Sequence, residues 1–261
     1  MDKKKTGFHI NITKNDIYDL IMLLSLTVFC FSSIMFISTK METRKYDKDL
    51  EQYYEVEEEE YEHVTINPID FDTLIEKNSD IYAWIRIPFL DVEYPILQNE
   101  EDNYYLSKNM YKGYAKIGSI YTNAVNGKDF SDFNTVIYGH NMTDAAGNMF
   151  STLHGLSDQE KFDTIKNIYI YTPKERLTYE ICIVDRYYPP VYLPDEYDMT
   201  NEADRVKFIN DMISASSYRG GKLREGVEIT PDDHLITLST CMLPQDTRLL
   251  VIAKLVDTLE F

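Results

Sequence analysis

The chain has 261 residues, a net charge of -18 and 44% apolar residues, which allows one good-sized domain plus accessory segments. So acidic a balance argues against nucleic acid as a partner, because binding phosphates needs a basic face. Three cysteines (Cys30, Cys182 and Cys241) without a CxxC pair rule out a disulfide scaffold and argue against a structural zinc site.

In chain order, the first feature is an uncharged run, LIMLLSLTVFCFSSIMFI, at residues 20–37. At about 1.5 Å rise per residue, such a run nearly spans a hydrocarbon core of roughly 30 Å. Residues 17–38 therefore read as a transmembrane signal anchor and residues 1–16 as a cytoplasmic N-terminus. A cleaved signal peptide is the alternative, but no small-residue A-x-A site follows the run. Cys30 falls inside the span and is expected to be inert. Lysines and arginines flank the run on both sides, so the positive-inside rule leaves its orientation open. Residues 39–66 are charged and include an acidic block from Glu55 to Glu62, read as a solvated spacer.

From Asn67 the pattern becomes that of a folded domain, residues 67–261. Asp70 to Ile75 predicts a short capped helix that ends before Asn78. Short apolar runs then recur between turn signals, at 81–87, 92–97, 118–122, 135–138, 168–171, 177–184, 235–240 and 249–256. Several alternate with period two, as half-buried strands do. With 21 tyrosines and only 10 glycines, composition also favours strands. Between 201 and 217, Val206, Ile209, Met212 and Ile213 have helical spacing. The fold class expected is mainly β, a closed or nearly closed barrel with a few short helices. The long connection 187–233 is expected to wall a site.

The segment from His234 to Ala253 reads as strand, six-residue loop, strand, with Pro244 in the loop. If the two strands pair directly, Cys241 faces Arg248 across the loop mouth, with Cβ atoms about 4.5–5.5 Å apart. A guanidinium there favours the thiolate and stands ready for a developing oxyanion. Taken singly, Cys241 also reads as a small buried hydrophobe and Arg248 as a solvated strand-end charge. Cys182 sits mid-strand among large apolar neighbours and reads as core. His154 reads as a surface residue. His234 lies at the far end of the Cys241 strand, out of reach at about 3.3 Å per residue. His140 follows an apolar strand through Gly139, a plausible site position or a satisfied structural histidine.

Together these motifs resemble the sortases, and class B sortases most closely. The resemblance rests on TLSTC at 237–241 with Arg248 downstream, and on IYGHNM at 137–142. The segments DIYAWIRIP (80–88), VEYPILQ (92–98), YYL (104–106), GSIY (118–121) and NMF (148–150) extend it over residues 67–256. It implies a β-barrel sortase fold with the catalytic domain outside the membrane. It also implies a cysteine transpeptidase acting on sorting-signal peptides and on an amine of the cell-wall precursor. Cys241 would be the nucleophile, His140 the acid and base, and Arg248 the electrostatic stabiliser. Ser239 and Thr240 would serve substrate or oxyanion binding. No cofactor or metal is implied. Met242 stands where many class B members carry an acidic residue, with Asp246 a weak substitute. A pilin-polymerising sortase, a membrane-anchored protease using water and a non-enzymatic wall-binding module are the rival readings.

Overall fold

A computed structural model of the chain describes residues 13–54, 66–141, 149–187, 196–218, 220–241 and 247–261, with the backbone alone at 217, 218 and 241. The acidic block from Glu55 to Glu62, and Met242, Pro244 and Asp246, lie outside the described residues. The chain divides into two compact units, residues 1–42 and 43–261.

The first unit is helical. Helix α1 (Lys14–Leu50) opens on a capping box in which Asp16 N–H donates to Thr13 Oγ1 and Thr13 N–H to Asp16 Oδ2. Its apolar window has a mean hydropathy of 2.5 and is buried nowhere; by length and composition the helix can cross a membrane. The hydroxyls of Ser25, Thr27, Ser33 and Thr39 donate to the helix's own carbonyls of Met22, Leu24, Phe29 and Met35. These four hydroxyls therefore need no water, which suits a hydrocarbon environment.

The second unit is a barrel. Its strands are β1 (Ile81–Ile87), β2 (Val92–Gln98), β3 (Ile120–Thr122), β4 (Asn134–Tyr138), β5 (Asn167–Tyr171), β6 (Glu175–Tyr187), β7 (Lys222–Leu223), β8 (Leu235–Cys241) and β9 (Arg248–Glu260). They run in the order β5-β1-β2-β3-β4-β8-β9-β6, and β6 pairs back onto β5 to close eight strands; β7 is a two-residue addition to β6. All eight expected strands are present. The third begins at Ile120 rather than Gly118, because Gly118 has φ +62° and leaves the extended region. Two of the barrel's pairings are parallel, β2 with β3 and β4 with β8.

Alternation along the strands separates two cores. Ile236 and Leu238 of β8 join the main core with Ile137, Leu249 and Val251, whereas Leu235 joins a second cluster with Val136, Leu250 and Ile252. The second cluster is covered by α4 (Glu202–Tyr218), following α2 (Phe71–Lys77) and α3 (Gln159–Thr164) in the chain. The buried face of α4 is Phe208, Ile209 and Met212, with Ile213 partly buried; Val206 is exposed. The expected stripe is thus rotated, since burying a Phe ring removes more apolar surface from water than burying Val. Helix α2 starts as expected, with Asp70 Oδ1 accepting from Thr73 N–H at 3.0 Å.

Part of the charged stretch 39–66 packs on the barrel. Thr43, Tyr46, Leu50 and Tyr53 are buried, and Tyr54 bridges to Ile69 and packs on Trp84. The spacing 43, 46, 50, 53 is that of one helix face continued into a 3-10 turn, an apolar stripe hidden among charges.

Candidate active site

Three neighbouring strands end at one rim of the barrel. In the antiparallel pair β8–β9, Cys241 is the register partner of Arg248. This is the hairpin pairing expected from the sequence. In the parallel pair β4–β8, Tyr138 is the partner of Ser239, and Gly139 N–H donates to the Ser239 carbonyl at 3.2 Å. Carrying that register on by two residues sets His140 level with Cys241, on chains about 4.8 Å apart. On that extrapolated register His140 would flank Cys241 on one side, with its register partner Arg248 on the other. Arg248 is half-buried and also pairs with Tyr187 of β6.

His140 is held on several sides. Its Nε2 lies 2.6 Å from the carbonyl oxygen of Leu106. A carbonyl only accepts, so Nε2 carries the proton and, in the neutral ring, Nδ1 is the acceptor. Phe150 N–H donates to the His140 carbonyl at 3.1 Å, and Asn141 forms an antiparallel bridge with Met149. Two glycines make room for this arrangement. A Cβ on Gly139 would meet the Ile120 and Phe150 side chains at 2.5 and 2.6 Å. A Cβ on Gly118 would meet the Leu106 carbonyl oxygen at 2.7 Å and His140 Cδ2 at 3.0 Å. The motifs around 118 and 139 therefore have steric causes.

Ser239 and Thr240 are both buried. Thr240 pairs with Leu249, is wholly inaccessible, and its Oγ1 has no hydrogen-bond partner. Its hydroxyl does not reach the surface, which leaves the backbone as its route to a bound group. Cys182 is buried at a bulge in β6, donates to the Glu180 carbonyl at 3.2 Å, and burial pushes its thiol up to about 12. It is core, as its neighbours in sequence indicate. Cys30 is exposed on α1. His234, just before β8, donates from Nδ1 to the Asp132 carbonyl, far from the rim. His154 is half-buried and accepts from Asn141 Nδ2 at 3.0 Å, so it supports the residue next to His140 rather than standing on the open surface. The Leu106 carbonyl and His154 escaped the sequence reading. A backbone acceptor has no residue signature, and the His154 contact joins residues 13 apart in the chain.

A cavity of about 490 Å³ lies at the opposite end of β4, lined among others by Asp132, Asn134, Tyr197 and Asp198; it includes neither His140 nor Arg248. Among the described residues no group of three or more His, Cys, Asp or Glu could hold a metal ion.

Known proteins settle what kind of barrel this is. The sortase domain family model matches residues 85–256. The chain belongs to the sortase family. Sortase B of Listeria monocytogenes is 32% identical over 188 residues, 69% of this chain and 71% of that protein. The crystal structure of sortase B from Bacillus anthracis superimposes with a TM-score of 0.69 at 27% identity, covering 85% of this chain and 99% of that one. A Streptococcus pyogenes class B sortase involved in pilus biogenesis has a TM-score of 0.59 at 28% identity, covering 72% and 98%. This sortase therefore has the closed barrel of its class B relatives and is a cysteine transpeptidase.

Proposed function

We propose that this sortase cleaves a C-terminal sorting signal of surface proteins at Cys241, holds the acyl group there as a thioester, and transfers it to an amine of the cell-wall precursor. The reading is supported by the shared rim of β4, β8 and β9, where Cys241 pairs with Arg248 and the β4–β8 register, continued by two residues, brings His140 level with Cys241. In the first step the Cys241 sulfur bonds to the scissile carbonyl carbon, and the C–N bond breaks. The protonated His140 gives its Nδ1 proton to the leaving amine, keeping its Nε2–H on the Leu106 carbonyl. Arg248 favours the thiolate and steadies the oxyanion, with the backbone near Thr240 as a further donor. In the second step an incoming amine bonds to the thioester carbon, His140 takes its proton, and Cys241 leaves as thiolate. On this reading residues 17–38 anchor the chain and the barrel works outside the membrane, where surface proteins and the wall precursor meet it.

The test is peptide cleavage by the full chain, with products identified by mass spectrometry with and without triglycine. The expected result is an amine-dependent ligation product and its loss in Cys241→Ala. Full cleavage by Cys241→Ala would show that another group is the nucleophile. Hydrolysis indifferent to amine would favour a protease that uses water, and an inactive wild type would favour a wall-binding module. Pilin polymerisation is a second reading, favoured by the likeness to the pilus-linked relative; a lysine side chain outcompeting triglycine as acceptor would select it.

A further inference from the structure

Asn141, next to His140, is tied to a part of the chain that no catalytic role has claimed. Met149, the bridge partner of Asn141, has φ +56° and ψ -128°, a backbone conformation rare outside glycine. Such strain costs on the order of 1–3 kcal/mol and persists only where the surroundings over-determine it. One restraint is a buried hydrogen bond, Met149 N–H to the Tyr94 hydroxyl oxygen at 3.2 Å. That same hydroxyl donates its proton to Asp47 Oδ1 at 3.3 Å. Its one proton is thus committed to Asp47, which leaves the hydroxyl oxygen free to accept from Met149. The Tyr94 ring stacks on Tyr46 at 6.5 Å with an interplanar angle of 10°. Burial, with the Asp47 carboxylate beside it, pushes the Tyr94 phenol up, so it remains a donor.

A second thread starts from Tyr46, whose hydroxyl faces the Ser119 side chain. Ser119 N–H donates to the Tyr105 carbonyl at 3.0 Å, and the neighbouring Gly118 lies against the Tyr105 and Leu106 carbonyls and the His140 ring. Asn141, next to His140, and the carbonyl that orients the histidine ring therefore both lead back to residues 46 and 47. These lie in the helical stretch that follows the apolar span in sequence and is anchored on the barrel by Thr43, Leu50 and Tyr53.

We infer that Thr43–Tyr53 is a positioning element for the histidine, with Tyr94 as its relay, so that catalytic competence depends on the helix end next to the span. This rests on the reading of His140 as the acid and base. A domain cut at residue 67 would lose the element, while the barrel strands would all remain.

The experiment uses the full chain in detergent, with cleavage kinetics followed across pH. Tyr94→Phe keeps the ring stack and deletes the hydroxyl. Asp47→Ala deletes the acceptor from a half-buried position and guards against misfolding of the first variant. The expected result is a fall in kcat of about tenfold for Tyr94→Phe, with KM nearly unchanged and a displaced histidine limb in the pH profile. Asp47→Ala should fall about threefold, and the double variant should lose no more than Tyr94→Phe alone, because both delete one thread. If both variants lose only thermal stability and keep the wild-type kcat and pH profile, the contacts are structural and the inference is overturned. His140→Ala in the same assay separates the two failures, since full turnover there would sink the site assignment itself.

Discussion

Replacing Gly118 by alanine should damage both stability and turnover. At φ +62° an L side chain costs about 1–2 kcal/mol. The new Cβ would stand 2.7 and 2.8 Å from the Leu106 and Tyr105 carbonyl oxygens and 3.0 Å from His140 Cδ2. Carbon–oxygen contacts relax to about 3.3 Å or more, so backbone or ring must yield by about half an ångström. Overpacking of that kind typically adds roughly 1–3 kcal/mol. The total, about 2–5 kcal/mol, corresponds to a fall in Tm on the order of 10 °C for a domain of this size. The same displacement lengthens the 2.6 Å bond that orients the imidazole. Since a 1 Å error in a reacting group can cost about a hundredfold, a tenfold loss of kcat/KM is the expected scale. Gly220→Ala is the control, with φ +69° and nothing within 4 Å of the added Cβ. It should lose about 1–2 kcal/mol of stability and no activity. Thermal unfolding and peptide cleavage measured on both variants decide the matter. If Gly118→Ala behaves like Gly220→Ala in the cleavage assay, the glycine does not hold the Leu106 carbonyl against the histidine.

The thiols and one carboxylate offer two further tests. Cys182, its thiol pushed up to about 12 by burial, should stay unmodified by maleimide at pH 8 in the folded chain and react only after unfolding. Mass mapping that finds Cys182 labelled at the rate of an exposed thiol would contradict its burial. Asp80 is partly buried, which opposes its charge, but donors from Tyr105, Asn99 and Lys112 prevail and hold its carboxyl below the usual range. A carboxyl lowered on folding contributes stability above its unfolded pKa near 3.8, and that contribution disappears as pH falls through the folded value. Asp80→Asn should therefore be less stable by roughly 2 kcal/mol at pH 7, with the gap closing below about pH 4. A gap that is constant in denaturant titrations from pH 7 to 3 would refute the charge-based account.

Local pattern carried much of this protein. Short apolar runs between turn signals located all eight barrel strands, several of them by period-two alternation, because a strand's own residues and its bounding turns carry that signal. The short loop between two apolar runs placed Cys241 opposite Arg248, because a hairpin's register follows from neighbours in the chain. Asp70 before a helix and Cys182 amid large apolar residues were legible for the same reason. The approach of His140 to Cys241 that the proposed function needs was not, since it would come from parallel pairing of β4 with β8, strands joined by contacts such as Thr237 to Asn134 across 103 residues. Only the family resemblance pointed to that meeting. The Leu106 carbonyl, a backbone atom, carries no sequence signal at all. Tyr46, Leu50 and Tyr53 were masked by the charges around them, and only the barrel surface reveals that they have somewhere to go. Residue types and spacing within one element were set by its own periodicity. Which elements became neighbours, and so which groups share the rim, was decided by closure of the barrel.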